Sequence, residues 1–427
     1  MQKNKLALFG GKKAFDEKIV RYNTIGKEEL DAGTKVIKSG NLSSFLGEAS
    51  SDFYGGVHVK KFEKDCEKYF KVKHAITVNS WSSGLSCAIG ALDIEPGDEV
   101  ILPTMTMCAC ASAILQWNAI PVFADINPKT FTIDPASVIT KITKRTKAIM
   151  SVDYFGQSAE MNELKKIAKK YNLKIISDAA QAIGSKYGKR FSGTIADIGG
   201  FSLNYHKTIH TGEGGILVTN NSKLALRMKL IRNHAEAVVH KFTPNNIVNM
   251  IGRNYRMGEI EAAIGVEQLK KLKRLVKEKQ EWASILIDSL KKLPGLQLPI
   301  PLKNNTHSYY AFPMLVDPKI LNVSRNKILR ALKAEGVPWI SGDLTLIHKL
   351  PVFKKKIAFG SKGFPWKIGK KINKINYNDP KTCPVAEETL KYRYINLPIS
   401  LLKFDKKKLK KVIFAFEKVW SNLDQLK

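Results

Sequence analysis

Residues 200–219 read Gly-Phe-Ser-Leu-Asn-Tyr-His-Lys-Thr-Ile-His-Thr-Gly-Glu-Gly-Gly-Ile-Leu-Val-Thr. The first four residues and the last five predict two strands, and a glycine-rich turn precedes the second. Lys207 stands in the loop between them. Upstream, the apolar run 174–177 ends at Asp178, which places a carboxylate at the end of another strand. The stretch therefore predicts a buried sheet with an amine and a carboxylate beside its strand ends.

The same alternation extends outward from this stretch, because short β-branched runs alternate with helical segments between about residues 74 and 220. The other strands are predicted at 75–79, 99–103, 121–124 and 148–152. Helices are predicted at 82–92, at 107–117 and along an apolar stripe from Leu164 to Tyr171. Strands separated by helices of this length pair in parallel. The expected fold class is α/β, with a mostly parallel mixed sheet covered by helices on both faces.

Beyond residue 256 the pattern changes to long helices, predicted at 259–275 and 277–293 and ended by Pro294-Gly295. We divide the chain into an N-terminal segment packed on the smaller domain, a large domain, connecting long helices and a smaller C-terminal α+β domain. Their predicted bounds are 1–30, 31–255, 256–295 and 296–427. Residues 354–381 are rich in Lys, Gly and Asn and are expected to form a surface insertion.

Length and composition narrow the class of protein. The chain has 427 residues, of which 44% are hydrophobic and 25% charged, as is typical of a large globular protein. No run of about eighteen apolar residues is present, so no membrane insertion is expected. The apolar run 6–10 is too short for a signal peptide. These observations predict a cytoplasmic protein.

The formal net charge of +32 invites a nucleic-acid interpretation. Lysine is abundant along the whole chain, however, and the lysine runs at 354–356 and 406–411 lack interleaved aromatics that would stack on bases. No nucleic-acid partner is expected, whereas an anionic substrate would benefit from the field. Five cysteines are scattered, and the close pair Cys108 and Cys110 has no further ligand at metal spacing. We expect reduced thiols and no metal site.

Lys207 and Asp178 are more informative as a pair than either residue is alone. A lone lysine beside a strand is usually a solvated surface residue, and an aspartate after a strand is usually a helix N-cap. Together they match the needs of pyridoxal 5′-phosphate (PLP): an amine that forms an imine and a carboxylate that keeps a pyridine nitrogen protonated. The turn 78–84, between a strand and a helix, supplies N–H groups and serine hydroxyls for a phosphate. PLP is therefore the expected cofactor.

These motifs resemble the DegT/StrS family of PLP-dependent sugar aminotransferases, which have the aspartate aminotransferase fold (fold type I). The resemblance covers almost the whole chain and also includes the segment Gly-Arg-Asn-Tyr-Arg-Met at 252–257. It implies that Lys207 carries the cofactor and that Asp178 holds the ring nitrogen. Contacts to the cofactor's 3-hydroxyl or phosphate are implied for Gln181, Ser82 and Ser202.

The chain departs from the family pattern at two cofactor positions. Trp81 stands where the family has a glycine in the phosphate turn, and Met107 stands where an aromatic often stacks on the cofactor ring. A thioether also packs on an aromatic face, so Met107 remains a cofactor-contact candidate. Asn254 matches the family asparagine that reaches the cofactor phosphate of the other subunit. The resemblance therefore implies a homodimer with active sites shared across the interface.

The acceptor site is predicted from position rather than from a motif. Extra residues between Ser43 and Lys60, together with four aromatic or histidine side chains, are expected to shape it. The four are His206, His210, His307 and Tyr309. Two terminal motifs, at 6–11 and 383–387, resemble a family branch that aminates cyclitols, amino-shikimate-type compounds or keto sugars.

The resulting expectation is a PLP-dependent aminotransferase that moves an amino group from glutamate or glutamine to a keto sugar. The sugar is expected to be nucleotide-linked and used in surface polysaccharide or glycoconjugate biosynthesis. Alternatives are a free keto acid sugar of the octulosonate type or a cyclitol as acceptor, a PLP-dependent sugar dehydratase, and a non-catalytic regulator. Sugar dehydratases of the family replace the lysine with histidine. A regulator would have lost Lys207, Asp178 or the phosphate turn.

Overall fold

The computed structural model describes residues 5–243 and 245–427. The strands of its large sheet are β1 His74–Val78, β2 Glu99–Pro103, β3 Ile120–Ala124, β4 Thr146–Val152, β5 Lys174–Asp178, β8 Ile198–Ser202 and β9 Gly215–Thr219. Between β5 and β8 lies a short hairpin of β6 Lys186–Tyr187 and β7 Arg190–Phe191. The sheet order is β1-β9-β8-β5-β4-β2-β3, and only β9 runs antiparallel to its neighbours. The predicted mostly parallel α/β fold is confirmed.

The register places the carboxyl ends of several strands at one edge. Asp178 is the last residue of β5 and lies opposite Val152 of β4 and Gly200 of β8. Strand β1 runs in the same direction as β8, because each is antiparallel to β9 between them. Loops that follow the strands therefore meet at this edge, which is where ligands bind in open α/β sheets.

Helices cover the sheet on both faces. Their bounds before the long helix are α1 Lys27–Ser39, α2 Val57–Phe70, α3 Trp81–Ala91, α4 Ala109–Gln116, α5 Pro135–Lys141, α6 Met161–Tyr171, α7 Ser222–Arg232 and α8 Ala235–Phe242. One buried cluster joins α3, α4 and α7 to one face of the sheet. Two further clusters cover the other face. One contains α2 and the long helix Glu259–Leu290, and the other contains α5 and α6.

The region predicted as two helices at 259–275 and 277–293 is one continuous helix, α9 Glu259–Leu290. The prediction of a break was wrong because neither Gly nor Pro lies near Val276, and a single β-branched residue does not end a helix. Its apolar stripe is buried along most of its length, including Leu272 and Leu286. Neither α9 nor any other helix in the described part of the chain is long and apolar enough to cross a membrane.

The C-terminal region has its own antiparallel sheet, β10 Leu296–Gln297, β11 Phe312–Val316 and β14 Tyr394–Leu397, in the order β10-β11-β14. Its helices are α10 Pro318–Leu321, α11 Arg325–Ala334, α12 Pro351–Lys355, α13 Pro384–Tyr392 and α14 Lys406–Trp420. A separate buried cluster joins this sheet to α11, α14 and the end of α9.

The N-terminal segment lies against this C-terminal region from residue 5 onward, and residues 1–4 lie outside the described part. The buried carboxylate of Glu335 accepts hydrogen bonds from the backbone N–H groups of Ala7 and Ala14 at 2.7 and 3.0 Å. It also pairs with Lys418 at 2.9 Å. Further along, the N–H of Tyr22 donates to Leu401 at 2.9 Å. These contacts hold the segment beside the candidate site described below.

Residues 354–381 lie mostly at the surface, as expected, but they are anchored to the large sheet. The segment contains the hairpin β12 Lys367–Ile368 and β13 Lys371–Ile372, and two of its aromatic side chains are buried. Trp366 donates to the Tyr377 hydroxyl at 2.9 Å, and that hydroxyl donates to the backbone oxygen of Pro121 at 2.6 Å. The segment is thereby anchored to β3, the edge strand of the large sheet, and a composition rich in Lys and Asn concealed these two anchors.

Candidate active site

A cavity of about 510 Å³ lies at the carboxyl edge of the large sheet. Its walls come from the loops after β1, β2, β4, β5 and β8 and from residues 344–350 of the C-terminal region. The sequence analysis predicted twelve cofactor or substrate residues. The cavity is lined by eight of them: Trp81, Ser82, Met107, Asp178, Gln181, Ser202, His206 and Lys207.

Lys207 reaches this cavity from the loop that follows β8. Its ammonium nitrogen lies 4.8 Å from the centre of the Tyr310 ring, and its backbone N–H donates to Asn204 at 2.8 Å. Burial lowers the pKa of Lys207 to about 8, while the nearby Asp178 carboxylate works in the opposite direction. About a tenth of the amine is therefore neutral at pH 7, and the neutral amine is the form that acts as a nucleophile.

The Asp178 carboxylate forms the floor of the cavity and is held by three donors. One oxygen, Oδ1, accepts from the indole N–H of Trp81 at 2.7 Å and from the backbone N–H of Ala180 at 3.0 Å. The other, Oδ2, accepts from the thiol of Cys110 at 3.0 Å. Burial raises the pKa of Cys110 well above its usual value, so the thiol keeps the proton that it donates. We call Trp81, Cys110 and Asp178 the floor cluster.

Trp81 fits into the floor because two glycines leave room for its ring. A Cβ atom on Gly84, one turn along α3, would lie 2.7 Å from the indole. A Cβ atom on Gly200 in β8 would lie 2.3 Å from it. The side chain is 6% exposed and points across the sheet edge to Asp178. The residue that replaces the family glycine thus contacts the carboxylate of the floor with its side chain.

The N-terminus of α3 offers an anion site on another wall of the cavity. Ser80 caps the helix by accepting from the N–H of Ser83 at 3.1 Å, and the Ser83 hydroxyl donates to Asn79 at 2.7 Å. Ser82 is exposed and the buried Ser202 ends β8, and both line the cavity. Unpaired N–H groups in the first turn and the helix dipole favour a phosphate at this place.

The other predicted cofactor and substrate residues occupy different parts of the wall. Gln181 uses its side-chain oxygen to accept from the N–H of Phe155 at 2.8 Å, which leaves its amide N–H groups for a ligand. Met107 lies at the mouth and is 64% exposed. His206 shares a hydrogen bond of 2.8 Å between Nδ1 and the hydroxyl of Tyr310. Burial and the neighbouring Lys207 lower the pKa of His206 to about 4, so this imidazole is neutral.

Four predicted residues lie outside this cavity. His210 lines a smaller cavity on the other side of Lys207. His307 and Tyr309 are both buried in the C-terminal region, with their rings stacked at 4.1 Å, and neither lines the main cavity. Asn254 is exposed, and its side-chain oxygen accepts from Arg256 at 2.8 Å. The substrate role predicted for His307 and Tyr309 is therefore not supported by their positions.

The sequence analysis missed two residues that shape the site, Tyr310 in the cavity wall and Cys110 behind its floor. Tyr310 lines the cavity in place of its neighbour Tyr309, because Tyr309 has a φ of +49° and this left-handed turn changes which side chain points outward. The sequence signals only a pair of tyrosines. Cys110 was expected only to be a reduced thiol, and nothing in its local pattern indicates that Asp178 is its partner across the fold.

The residues present fit a phosphorylated pyridine. The cavity combines a partly neutral lysine, a buried carboxylate fixed by three donors and a helix N-terminus lined by serines. These groups match the amine, ring-nitrogen and phosphate requirements of PLP.

Comparison with known proteins agrees with this site. A model of the DegT/DnrJ/EryC1/StrS aminotransferase family matches residues 26–366. The chain is 33% identical over 359 residues to the spore coat polysaccharide biosynthesis protein SpsC of Bacillus subtilis, covering 83% of this chain and 88% of that one. It is 37% identical over 301 residues to the GDP-perosamine synthase of Escherichia coli O157:H7, covering 70% and 80%.

A solved structure extends the agreement to the fold. The crystal structure of an aminotransferase from Psychrobacter cryohalolentis has a TM-score of 0.79 and 26% identity, and it covers 95% of this chain and 100% of its own. The resemblance inferred from residues 178–181, 200–215 and 252–257 is thus confirmed. This chain belongs to the DegT/DnrJ/EryC1/StrS family and is a PLP-dependent aminotransferase.

Proposed function

We propose that this protein transfers the amino group of glutamate or glutamine to the ketone of a nucleotide-linked sugar that is used in surface polysaccharide or glycoconjugate biosynthesis. The observation that carries the proposal is the pairing of Lys207 with the fixed Asp178 carboxylate across one cavity of about 510 Å³. Relatives named as a spore coat polysaccharide biosynthesis protein and as GDP-perosamine synthases support the sugar substrate.

The roles of individual residues follow from their positions. Bound PLP would supply an electron sink for the carbon from which a proton is removed. Lys207, with its lowered pKa, would hold the cofactor through its amine and would carry the proton as a general base and acid. Asp178 would keep a proton on the ring nitrogen, and the first turn of α3 with Ser82 and Ser202 would hold the phosphate. Gln181 would contact the ring hydroxyl through its amide.

His206 and Tyr310 form the wall next to the amine. The Tyr310 hydroxyl and Nδ1 of His206 are 2.8 Å apart, and burial raises the pKa of Tyr310 far above its usual value. Both side chains therefore stay neutral around Lys207. Neutral neighbours leave the amine as the group that exchanges protons with the reacting carbon.

Dehydration of a sugar on the same fold is the nearest alternative. Family dehydratases have a histidine at the position of Lys207, and here a lysine points into the cavity. The adjacent His206 is already engaged with Tyr310. These observations favour amino transfer over dehydration.

The proposed assembly is a homodimer with shared sites. Asn254 is exposed and lines no part of the cavity of its own subunit. Its backbone oxygen accepts from the side chain of Asn79, in the turn that precedes α3. This position suits a residue that acts at the phosphate end of the site in a second copy.

The experiment is transfer of labelled nitrogen. The purified enzyme would be incubated with ¹⁵N-amino glutamate or ¹⁵N-amide glutamine and a panel of keto sugars, and the products analysed by mass spectrometry. Appearance of an amino sugar carrying the label, with no product from the Lys207→Ala variant, would support the proposal. Consumption of a sugar without gain of nitrogen would instead support dehydration.

A further inference from the structure

A second, smaller cavity of about 90 Å³ opens on the other side of Lys207. Three exposed side chains dominate its wall: Arg21 from the N-terminal segment, Tyr205 from the loop before the lysine, and Trp339 from the loop after α11. We call these three residues the rim cluster. Lys207 and His206 line both cavities, so a molecule at the amine can extend into the smaller one.

Trp339 is exposed although its indole ring is largely apolar. Its neighbours Val337 and Ile340 are buried, yet Trp339 is 48% exposed. Its backbone has a φ of +52°, in the left-handed region that is unfavourable for a bulky side chain. Backbone strain of this kind persists only where the surrounding structure enforces it. Such positions cluster at active sites and ligand-binding sites. The ring offers an apolar face beside the amine.

Arg21 is an uncompensated cation on that face. Its guanidinium lies 5.4 Å from the centre of the Trp339 ring. No carboxylate of the described residues forms an ion pair with it, and its backbone is fixed by an antiparallel bridge to Leu402. The side chain is therefore positioned by its segment, while its charge is not paired with a carboxylate in the described part of the chain. Arginine stacked on an aromatic ring retains donors for a phosphate or carboxylate.

The charges around the smaller cavity favour an anion. Among residues 5–243 and 245–427, no acidic residue lines it, and burial keeps the pKa of both His206 and His210 below the usual value, so both are neutral. Behind the wall, the Lys279 ammonium lies 4.5 Å from the Tyr22 ring. The acids behind the wall are engaged, since Glu278 accepts from the Tyr22 hydroxyl and Glu29 pairs with Lys271 at 2.7 Å.

The size of the cavity limits the anion. A cavity of about 150 Å³ holds one six-membered ring, so a space of about 90 Å³ suits a phosphate or carboxylate group. It is too small for a nucleoside. The main cavity of about 510 Å³ remains for the cofactor and the body of the sugar.

We propose that the rim cluster is the acceptor-recognition subsite: Arg21 binds a phosphate or carboxylate group carried by the keto sugar, and Trp339 and Tyr205 form the walls of the pocket that receives that group. This inference rests on the proposed aminotransferase function and adds that the acceptor is anionic close to the reacting ketone. The same chemistry is offered by a sugar phosphate, a sugar acid and the diphosphate of a nucleotide sugar.

Binding to the cofactor-loaded enzyme tests the subsite. Calorimetry would be carried out with glucose 6-phosphate, 3-deoxy-octulosonate and GDP-mannose as anionic probes, and with glucose as the neutral probe. At least one anionic probe is expected to bind at least about tenfold more tightly than glucose and to weaken with salt. The probe that binds most tightly identifies the source of the anionic group.

Matched variants locate the binding. Arg21→Gln is expected to weaken the preferred anionic probe by about tenfold or more and to remove its salt dependence. Arg330→Gln removes an exposed arginine on α11 that lines neither cavity, and it is expected to bind like the parent enzyme. Equal affinity of the parent and Arg21→Gln for every probe, or equal binding of glucose and the anions, would overturn the proposal.

Fluorescence separates a ligand site from a surface covered by the partner subunit. The difference between the parent and Trp339→Phe isolates the emission of Trp339, whose quenching by acrylamide is measured without ligand and with the preferred probe. Quenching that falls when the probe binds supports the subsite. Full protection in the ligand-free dimer would mean that the partner covers the rim cluster and would overturn it. Loss of the visible band of the parent enzyme on adding glutamate tests the aminotransferase function separately.

Discussion

The floor cluster and the rim cluster lie on opposite sides of Lys207 and differ in how their polar groups are paired. In the floor cluster, Asp178 accepts from Trp81 and Cys110 within 3.0 Å, and all three side chains are buried. In the rim cluster, the Arg21 guanidinium lies 5.4 Å from the centre of the Trp339 ring, and both side chains are exposed.

The two clusters therefore suit two different kinds of ligand. A buried carboxylate with its donors already in place loses no energy to rearrangement when it meets a cationic ring nitrogen, which is the meaning of preorganisation. An exposed arginine without a carboxylate partner retains its capacity to bind an anion that arrives and leaves. The floor thus suits a cofactor that stays, and the rim suits a substrate that exchanges.

Removal of the Lys207 amine, which lies between the two clusters, should have the largest effect on turnover. Lys207→Ala is expected to reduce turnover by on the order of 10⁶ and to abolish the visible absorption of the loaded enzyme, because the covalent nucleophile is lost. Turnover is measured by the labelled-nitrogen assay. Lys223→Ala, at an exposed lysine on α7, is the matched control and should be fully active. Persistent turnover in Lys207→Ala would remove the amine from the mechanism.

The floor is tested by neutralising its carboxylate. Asp178→Asn should lower the rate by on the order of 10²–10³, as loss of one preorganised charge does at other active sites. The cofactor should still load on Lys207, which its visible band would show. Cys110→Ala removes one donor but leaves the carboxylate, so its effect should be much smaller. Equal losses in the two variants would mean that Asp178 acts only as part of the packing.

The fit of Trp81 against Gly84 can be tested by stability. Gly84→Ala should lower the free energy of unfolding by about 1–3 kcal/mol, because the new Cβ would lie 2.7 Å from the indole. Trp81→Ala should remove that clash, so the double variant should be less destabilised than the sum of the single variants. The measurement is urea unfolding of the four proteins.

Gly33→Ala in α1 provides the control for this cycle. A Cβ there would lie 3.9 Å from its nearest neighbour, Ile260. The change should be neutral or stabilising by up to about 1 kcal/mol, since alanine is the better helix former. Additivity of Gly84→Ala and Trp81→Ala within about 0.5 kcal/mol would show that the two positions do not touch.

The smallest effect expected is a pH dependence of cofactor loading. Only the neutral amine of Lys207 attacks PLP, and its pKa is lowered to about 8. In the cofactor-free protein the loading rate should rise about tenfold per pH unit below pH 8 and level off above it. The rate is followed by the growth of the visible band. A plateau reached only near pH 10.5, the ordinary value for lysine, would contradict the burial of this amine.

The positions of Asp178 and Lys207 were predictable from local sequence, since each lies at the end of a strand or in the loop after it. Asp178 ends β5 and Lys207 follows β8, and parallel strands bring such positions to one edge. The partners of Asp178 were not predictable. Trp81 begins α3, and Cys110 lies in the first turn of α4. Only the packing of these two helices on the sheet brings their donors to the carboxylate.

The rim could not be predicted for a different reason. Arg21 and Trp339 lie far apart in the chain, in segments without a motif, and meet because the N-terminal segment packs on the C-terminal region. The positions of His307 and Tyr309 outside the main cavity were likewise not visible in the sequence. A single left-handed residue, with a φ of +49° at Tyr309, decides that Tyr310 faces the cavity.

The most direct test of the account is the absorption spectrum of the purified enzyme before and after addition of L-glutamate. The account predicts a visible band from PLP held on Lys207, which disappears as the amino group passes to the cofactor and returns when a keto sugar is added. Absence of the band after incubation with PLP, or a band that glutamate and glutamine both leave unchanged, would contradict it.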